Sequence, residues 1–598
     1  MKDEFLRFLL FDNFYGKIKR MAEDRIKFLK LGLYFVAGVI MVRLFFVQII
    51  QNKMWVAKAE EQHTMENKIL AKRGEIYMMD GSEPVAVVMN EKVYTVVVDP
   101  MAADEEELRG LIFGEDMKEN LVASEEEVFR DRTRRYFLVA RNVGTQKAKQ
   151  IREAEPAGVW LKEGTKRVYP EGELGARLLG FVNAEGEGQY GVEGALNKEL
   201  KGTDGLLKTV ADVNRVALSI GNDNVKIPAK DGEDVVLTID RNVQNNVERI
   251  LKEKMEEFGK DQASAVVMNP NTGEILAMAN LPGYDPANYA EVESADVFIN
   301  RVTEDPYEPA SVCKAFTFAT GVDLGVLGPE TTYYNNGYEV IDGWKINNAS
   351  QYDSLLGPTS IQKALNWSLN TGSIYALKLI GGDANRITEE GRKKLYEYYT
   401  EKFGLGKETG VELYENLGLI GDPVEGDGRD SLYANMTFGQ NMLVTMMQVI
   451  SGYNTLVNGG KKVTPSVVEG EMVGGELVKK ERGEGEQVIS EETSRVMREM
   501  LWGTRTTYRA NGTDPAGYYI GGKTGTAQVI RDGKYSMDEW VATYVGFGGT
   551  EGELPEYTVM VRIWKDGETT SAETYALPIF SEISNYMINY LKLRPKQE

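Results

Sequence analysis

Ser311 and Lys314 stand three residues apart, directly after Glu308-Pro309-Ala310 and ahead of an apolar, helix-compatible run from Ala315 to Leu327. A proline just ahead suits a helix start. Ser311 is therefore expected in the first turn, where free backbone N–H groups and the helix dipole favour developing negative charge. Residues i and i+3 share a helix face with Cβ atoms about 5–6 Å apart, so the Lys314 amine reaches the Ser311 hydroxyl. To act as a base that amine must lose its proton near neutrality, through burial or a neighbouring cation. Taken alone, Ser-x-x-Lys is a weak signal whose default reading is a capped helix with a solvated lysine, and Cys313 between them reads as a small buried hydrophobe.

Two later segments could complete such a site. Ser368-Leu369-Asn370 follows the helix-like stretch Ile361 to Trp367. Its hydroxyl and amide can project from a helix-connecting loop, one to relay a proton and the other to fix a substrate amide. Gly521-Gly522-Lys523-Thr524-Gly525-Thr526-Ala527-Gln528 offers a cation (Lys523), two hydroxyls for a substrate carboxylate (Thr524 and Thr526), and a glycine (Gly525) that leaves room for a peptide against a strand. Read singly, the first is a helix C-cap and the second a glycine-rich strand entrance.

Scarce residues narrow the chemistry. The only histidine is His63 and the only cysteine Cys313. A Ser-His-Asp triad would have to use His63, close to an apolar segment, so a nucleophilic serine here calls for a lysine base. One imidazole and one thiol build neither a His/Cys zinc site nor an intrachain disulfide, and no cofactor is expected. Asp and Glu outnumber Lys and Arg by 91 to 69, a field that repels phosphate backbones and makes nucleic acid a poor partner.

A chain of 598 residues is too long for one core and suggests about three folded units. Residues 31–50 carry apolar residues all round the helix, with Arg43 the one charge within the span, and 20 residues match a hydrocarbon core of about 30 Å. Eight Lys/Arg among residues 1–30 keep that tail cytoplasmic. The remainder then lies outside. Ala57-Lys58-Ala59 has the form of a signal cleavage site, but the apolar run exceeds an ordinary signal core. Residues 51–230 are expected to form a noncatalytic pedestal. Trp55 to Lys72 reads as a polar, helix-compatible stalk, and β-rich sequence follows at Arg73-Gly74-Glu75-Ile76, the Asp80-Gly81 turn and Val93 to Val98. Acidic residues 103–130 read as solvated helix faces. Gly186, Gly188 and Gly191 satisfy G-x-G-x-x-G, yet no strand-helix repeats surround them, and a glycine-rich turn is the better reading. The turn-rich linker Ile227 to Gly232 opens residues 231–598, with a strand Val235 to Asp240, a helix Gln244 to Phe258, and a hairpin of Ala263 to Val267 with Glu274 to Ala279. Strands at Val541 to Phe547 and Tyr557 to Ile563 and a helix from about Leu577 to Leu591 close the chain. Strands at both ends with helices between predict an α+β domain around one antiparallel sheet flanked by helices.

In this order the three segments resemble the Ser-x-x-Lys, Ser-x-Asn and Lys-Thr-Gly set of penicillin-binding proteins and serine β-lactamases. Further stretches are similar to class B penicillin-binding proteins: the single anchor, Arg73-Gly74-Glu75-Ile76, Arg167-Val168-Tyr169-Pro170, Gly191-Val192-Glu193, Leu237-Thr238-Ile239-Asp240 and Thr437-Phe438-Gly439-Gln440. The resemblance implies a dimerisation-type pedestal followed by a penicillin-binding transpeptidase domain. It implies a D,D-transpeptidase that cross-links peptidoglycan stem peptides ending in D-Ala-D-Ala, anchored in the bacterial cytoplasmic membrane and inhibited by β-lactams. Ser311, Lys314, Ser368, Asn370 and Lys523 would be catalytic; Thr524, Gly525 and Thr526 would bind substrate. A multi-span lipid-II glycan polymerase is the implied partner. The Glu308-Pro309 approach and the 57-residue gap between Ser311 and Ser368 look more like the division or sporulation type than the elongation type. Relatives usually carry glycine before the nucleophile, where Ala310 stands here, and often proline where Met446 stands. A carboxypeptidase or β-lactamase, and a noncatalytic scaffold or β-lactam sensor, are the rival readings.

Overall fold

The computed structural model describes residues 25–55, 64–210, 225–349, 353–426, 428–507, 514–531, 534–569 and 571–596. They fall into two compact units, one of residues up to Ala71 with Thr203–Lys230 and one of Lys72–Gly202 with Asp231 onward. In the first, one helix covers Arg25–Ile50 and contains the whole expected span; its 26 residues at about 1.5 Å each exceed a hydrocarbon core of about 30 Å. The stalk expected as helix-compatible is instead partly a strand. Thr64–Ile69 pairs antiparallel with Gly205–Val210, which pairs with Val225–Ile227. Backbone pairing with a segment far along the chain overrides local helix propensity there. His63 lies outside the described residues.

The second unit carries two large sheets. The first contains β1 (Ile76–Asp80), β2 (Glu83–Val98), β3 (Phe137–Gly144), β4 (Val159–Val168) and β5 (Val235–Asp240), joined by two strands from far downstream, Val468–Val473 and Glu476–Lys479. β5 is the pivot. It runs parallel to β1 on one side and antiparallel to Val468–Val473 on the other. All six of its residues are buried, as a near-continuous apolar run with neighbours on both edges should be. The linker at 227–232 therefore leads into a strand that continues the sheet begun at residue 76. The acidic stretch forms the short helices Glu105–Leu111 and Glu125–Phe129, which bury Leu108, Val128 and Phe129 and leave most of their glutamates outside.

Three of the motif segments named above meet at Glu193. Glu193, fully buried, accepts from Arg73 Nε at 2.7 Å through one carboxylate oxygen and from Arg167 Nε at 2.7 Å through the other. The glycine pattern beside it serves packing. A Cβ at Gly188 would fall 1.8 Å from the Glu193 carbonyl oxygen, and Gly191, at φ +44°, sits against the Leu178 carbonyl. Gly188 and Gly191 hold chain against chain, whereas Gly186, at φ +81° with open space around it, makes the turn.

β5 ends at Asp240, whose carboxylate accepts from the N–H groups of Asn242 and Val243 and caps helix α1 (Arg241–Phe258). The hairpin follows as β6 (Gln262–Met268) and β7 (Ile275–Leu281). After the helical middle of the chain, β8 (Tyr518–Arg531), β9 (Lys534–Thr550) and β10 (Tyr557–Trp564) complete a five-stranded antiparallel sheet in the order β7-β6-β10-β9-β8. Period-two alternation divides its faces. Ala263, Ala265 and Val267 pack with Val247, Ile250 and Leu251 of α1 and with Ile579, Phe580 and Ile583 of the final helix Leu577–Tyr590. Val266 and Met268 face the opposite core, built from the helices between the strands. This is the expected α+β arrangement with helices on both faces of an antiparallel sheet.

Candidate active site

Ser311 lies in a 3-10 turn, Ala310–Cys313, that runs straight into helix α2 (Lys314–Asp323). The helix start expected from Pro309 is thus present, with the nucleophile candidate one turn ahead of the α-helix proper. Entry into the turn is unusual. Ala310 has φ +52°, in the left-handed region, and its N–H donates to the Gly439 carbonyl at 3.0 Å. The Thr437-Phe438-Gly439-Gln440 segment lies under the turn: the Thr317 hydroxyl donates to the Thr437 carbonyl at 2.7 Å, and Lys314 Nζ sits 5.7 Å from the centre of the Phe438 ring.

Lys314 is fully buried. Its Nζ lies 2.9 Å from Ser311 Oγ, 2.6 Å from the Ser368 carbonyl oxygen and 3.0 Å from Ser368 Oγ. These three partners fit both protonation states. As an ammonium the side chain donates to all three; as a neutral amine it donates twice to Ser368 and turns its lone pair to the Ser311 hydroxyl. Burial, reinforced by the nearby Lys523 cation, drives the Lys314 ammonium well below the ordinary lysine range. Burial also brings Lys523 down to about 8, against the opposing pull of the Glu573 carboxylate. Cys313 is buried with its thiol pushed up by desolvation, which makes it an inert core residue.

Ser368 and Leu369 connect helix α3 (Ile361–Asn366) to helix α4 (Asn370–Ile380). Ser368 is itself left-handed at φ +53°. Its N–H donates to the Leu365 carbonyl at 3.1 Å and the Leu369 N–H to that of Ala364 at 2.8 Å, so the end of α3 holds the turn that offers both Ser368 oxygens to Lys314. Asn370 opens α4, and its amide donates to the Asn347 carbonyl at 2.8 Å. It makes no hydrogen bond to Lys314 or Ser311.

The Lys523–Thr526 segment lies inside β8, the edge strand of the sheet, where the sequence suggested a strand entrance. Lys523 is nearly fully buried and its Nζ donates to the Thr524 carbonyl and Oγ1 at 3.1 and 3.2 Å. Thr526 Oγ1 accepts from the Ala572 N–H at 3.2 Å. Gly525 lets the strand approach the nucleophile turn: a Cβ there would fall 2.7 Å from the Pro309 carbonyl oxygen and 3.1 Å from Val312 Cγ1. Ser311, Lys314 and Ser368 are thus joined by hydrogen bonds, Gly525 brings the Lys523–Thr526 segment against the Ser311 turn, and Asn370 is bonded to Asn347 instead. Sequence reasoning passed over Glu308 as a structural residue. Its buried carboxylate accepts from the Asn441 N–H at 2.7 Å and the Tyr535 hydroxyl at 2.9 Å, tying the segment before Ser311 to the 439–444 loop and to β9. The hint was a glutamate embedded among Tyr307, Pro309 and Ala310.

A buried lysine held against a serine hydroxyl at a helix start, beside a second buried lysine on an edge strand, is the arrangement that serine acyl transfer with an amine as base requires. Residues 263–585 match the family model for the penicillin binding protein transpeptidase domain, and residues 68–237 match that for the penicillin-binding protein dimerisation domain. Stage V sporulation protein D of Bacillus subtilis is 29% identical over 96% of this chain and 87% of its own length. A probable peptidoglycan D,D-transpeptidase, PenA, of Neisseria gonorrhoeae is 25% identical over 96% and 94%. Among solved structures, a peptidoglycan synthetase from Bifidobacterium adolescentis superposes with a TM-score of 0.69 at 20% identity, covering 90% of this chain and 98% of that one. The chain belongs to the penicillin-binding protein transpeptidase family.

Proposed function

We propose that the chain is a membrane-anchored peptidoglycan D,D-transpeptidase of class B, working through a Ser311 acyl-enzyme. The observation that carries this is the Lys314 amine, stripped of water and held 2.9 Å from Ser311 Oγ. Lys314 takes the Ser311 proton as Oγ attacks the carbonyl carbon of the penultimate D-alanine. The backbone N–H groups of Ser311 and Thr526 receive the oxyanion. Ser368 relays the proton, with Lys523 assisting, to the nitrogen of the terminal D-alanine, which departs as a free amino acid. Asn370 holds the peptide, and Thr524 and Thr526, with Lys523 behind them, take the terminal carboxylate. An amine of a neighbouring stem peptide then attacks the ester, returns its proton through the same groups and releases Ser311. β-Lactams acylate Ser311 as mimics of the D-Ala-D-Ala end.

The helix Arg25–Ile50, with basic residues before it, supports residues 1–30 as a cytoplasmic tail, 31–50 as the membrane span, 51–230 as the pedestal and 231–598 as the transpeptidase portion outside the cytoplasmic membrane. The likeness to a sporulation protein favours a septal or spore-wall role, and a multi-span lipid-II glycan polymerase is the partner that would supply glycan strands. The test is turnover of a D-Ala-D-Ala stem peptide with an added amine acceptor. Transfer to the amine is expected; hydrolysis alone would make the protein a carboxypeptidase, and acylation without turnover a sensor. Peptide mapping of a fluorescent-penicillin adduct is expected to place it on Ser311, and undiminished labelling of Ser311→Ala would refute the assignment.

A further inference from the structure

We propose that Asn348, together with Asn335, is a positioning residue for the transfer reaction, setting where Ser368 and Asn370 stand. The inference rests on the Ser311 reading above. Helix α4 begins at Asn370, and the residue before it, Leu369, supplies no side-chain cap. The missing cap comes from elsewhere. Asn348 Oδ1 accepts from the Thr371 N–H at 3.0 Å, satisfying one of the helix's orphan donors. Immediately before it, the Asn347 carbonyl accepts from the Asn370 amide at 2.8 Å. Two consecutive residues of one segment thus grip two consecutive residues of the other.

That grip is itself held. Asn348 Nδ2 donates to Asn335 Oδ1 at 3.1 Å, and Asn335 Nδ2 donates to the Leu355 carbonyl at 2.8 Å. The Thr371 hydroxyl lies 3.0 Å from Asn335 Oδ1 and 3.0 Å from the Tyr333 hydroxyl. Asn335, Asn348 and Thr371 are all at most 3% exposed. Apolar residues would fill such a space without the desolvation of so many amide and hydroxyl groups. A buried, fully matched polar network instead specifies one geometry.

What it specifies reaches the proton path through a single residue. Leu369 connects Asn370 to Ser368, whose left-handed backbone persists only where its surroundings over-determine it. The end of α3 restrains that turn from one side, and Asn347 and Asn348 restrain it from the other. Released from the second restraint, Ser368 moves its two oxygens away from Lys314 Nζ, and the lone pair of the amine is no longer directed at Ser311. A displacement of about 1 Å in such an arrangement costs up to roughly a hundredfold in rate.

The experiment uses the full-length chain in detergent and follows acylation by a fluorescent penicillin, with the rate expressed per site labelled at the end point, so that unfolded molecules do not count. Asn348→Ala is expected to slow acylation roughly tenfold or more. Asn348→Asp keeps an oxygen for the Thr371 N–H but sets its second oxygen against Asn335 Oδ1, where Asn348 Nδ2 donated, and is expected to be slowed as well. If Asn348→Ala or Asn348→Asp acylates within about twofold of the unmodified protein, the positioning role is wrong. Should Asn348→Ala yield too little labelled protein, Thr371→Val and Thr371→Ser decide: a slow valine variant beside a near-normal serine variant supports the role, and equal rates overturn it. Ser311→Ala run in parallel separates the two ideas, since persistent labelling there would sink the site itself rather than the positioning.

Discussion

Replacing Ala310 by glycine tests the backbone geometry at the Ser311 turn directly. At φ +52° the Ala310 Cβ crowds its own backbone, a conformation that costs an L-residue about 1–2 kcal/mol. Ala310→Gly removes that strain but gives the unfolded chain more freedom, worth about 0.4–1 kcal/mol in the other direction. The net expectation is a gain of about 0.5–1 kcal/mol. For a large cooperative unit this raises the unfolding midpoint by about 1–3 °C. The 3.0 Å bond from the residue 310 N–H to the Gly439 carbonyl is backbone to backbone and survives the change, as do the contacts of Lys314. Penicillin acylation should therefore continue at its original rate. Ala310→Val, a branched side chain in the same conformation, should lower the midpoint. Thermal unfolding of the three proteins in one detergent, with acylation rates measured alongside, makes the comparison. A lower midpoint for Ala310→Gly than for the unmodified protein would refute the strained-turn argument.

With Lys314 as the proposed base, acylation should fall as pH drops through its depressed range, because only a neutral amine can accept a proton; Lys523→Ala removes a neighbouring cation and should move that acid limb to higher pH, read from the pH profile of the acylation rate. Burial pushes Glu248 up to about 7, and its carboxylate accepts from the Gly175 N–H at 2.9 Å. A raised acid pKa binds more protons folded than unfolded, so this group's stabilisation is full below the ordinary glutamate pKa and is lost as pH rises through about 7. Glu248→Gln should flatten that slope in denaturant titrations, and an unchanged slope would count against it. Glu193→Ala leaves the Arg73 and Arg167 guanidiniums buried without their shared carboxylate, and should destabilise by about 3–5 kcal/mol, measured by chemical unfolding.

Much of the fold was legible where pattern and physics agree. The hairpin around Asn269-Pro270-Asn271-Thr272-Gly273, the helix ending at Phe258 and the final helix from Leu577 were visible because apolar periodicity and turn residues point the same way. The meeting of Ser311 with Lys314 was legible for a different reason. Ser311 and Lys314 are neighbours on one helix turn, so their contact is local, and the scarcity of His and Cys removed other bases. What escaped is nonlocal. Residues 64–69 look helical until a partner strand 140 residues later claims them. The positive φ of Ala310 and Ser368 follows from contacts with Gly439 and with the end of α3, which no local window contains. Asn335 and Asn348 look like ordinary loop asparagines; only the fold places them behind Asn370.

The parallel pairing of β5 with β1 bears on how this protein can be cut. A fragment begun at residue 231 would keep every chemical group of the site yet lose the neighbour along one edge of β5. Six buried residues would then border an open row of backbone donors and acceptors, a template for other chains to join. A soluble version that keeps residues from Thr64 onward retains that seam and the partner of Gly205–Val210, whereas one begun at residue 231 is prone to stick to its own copies.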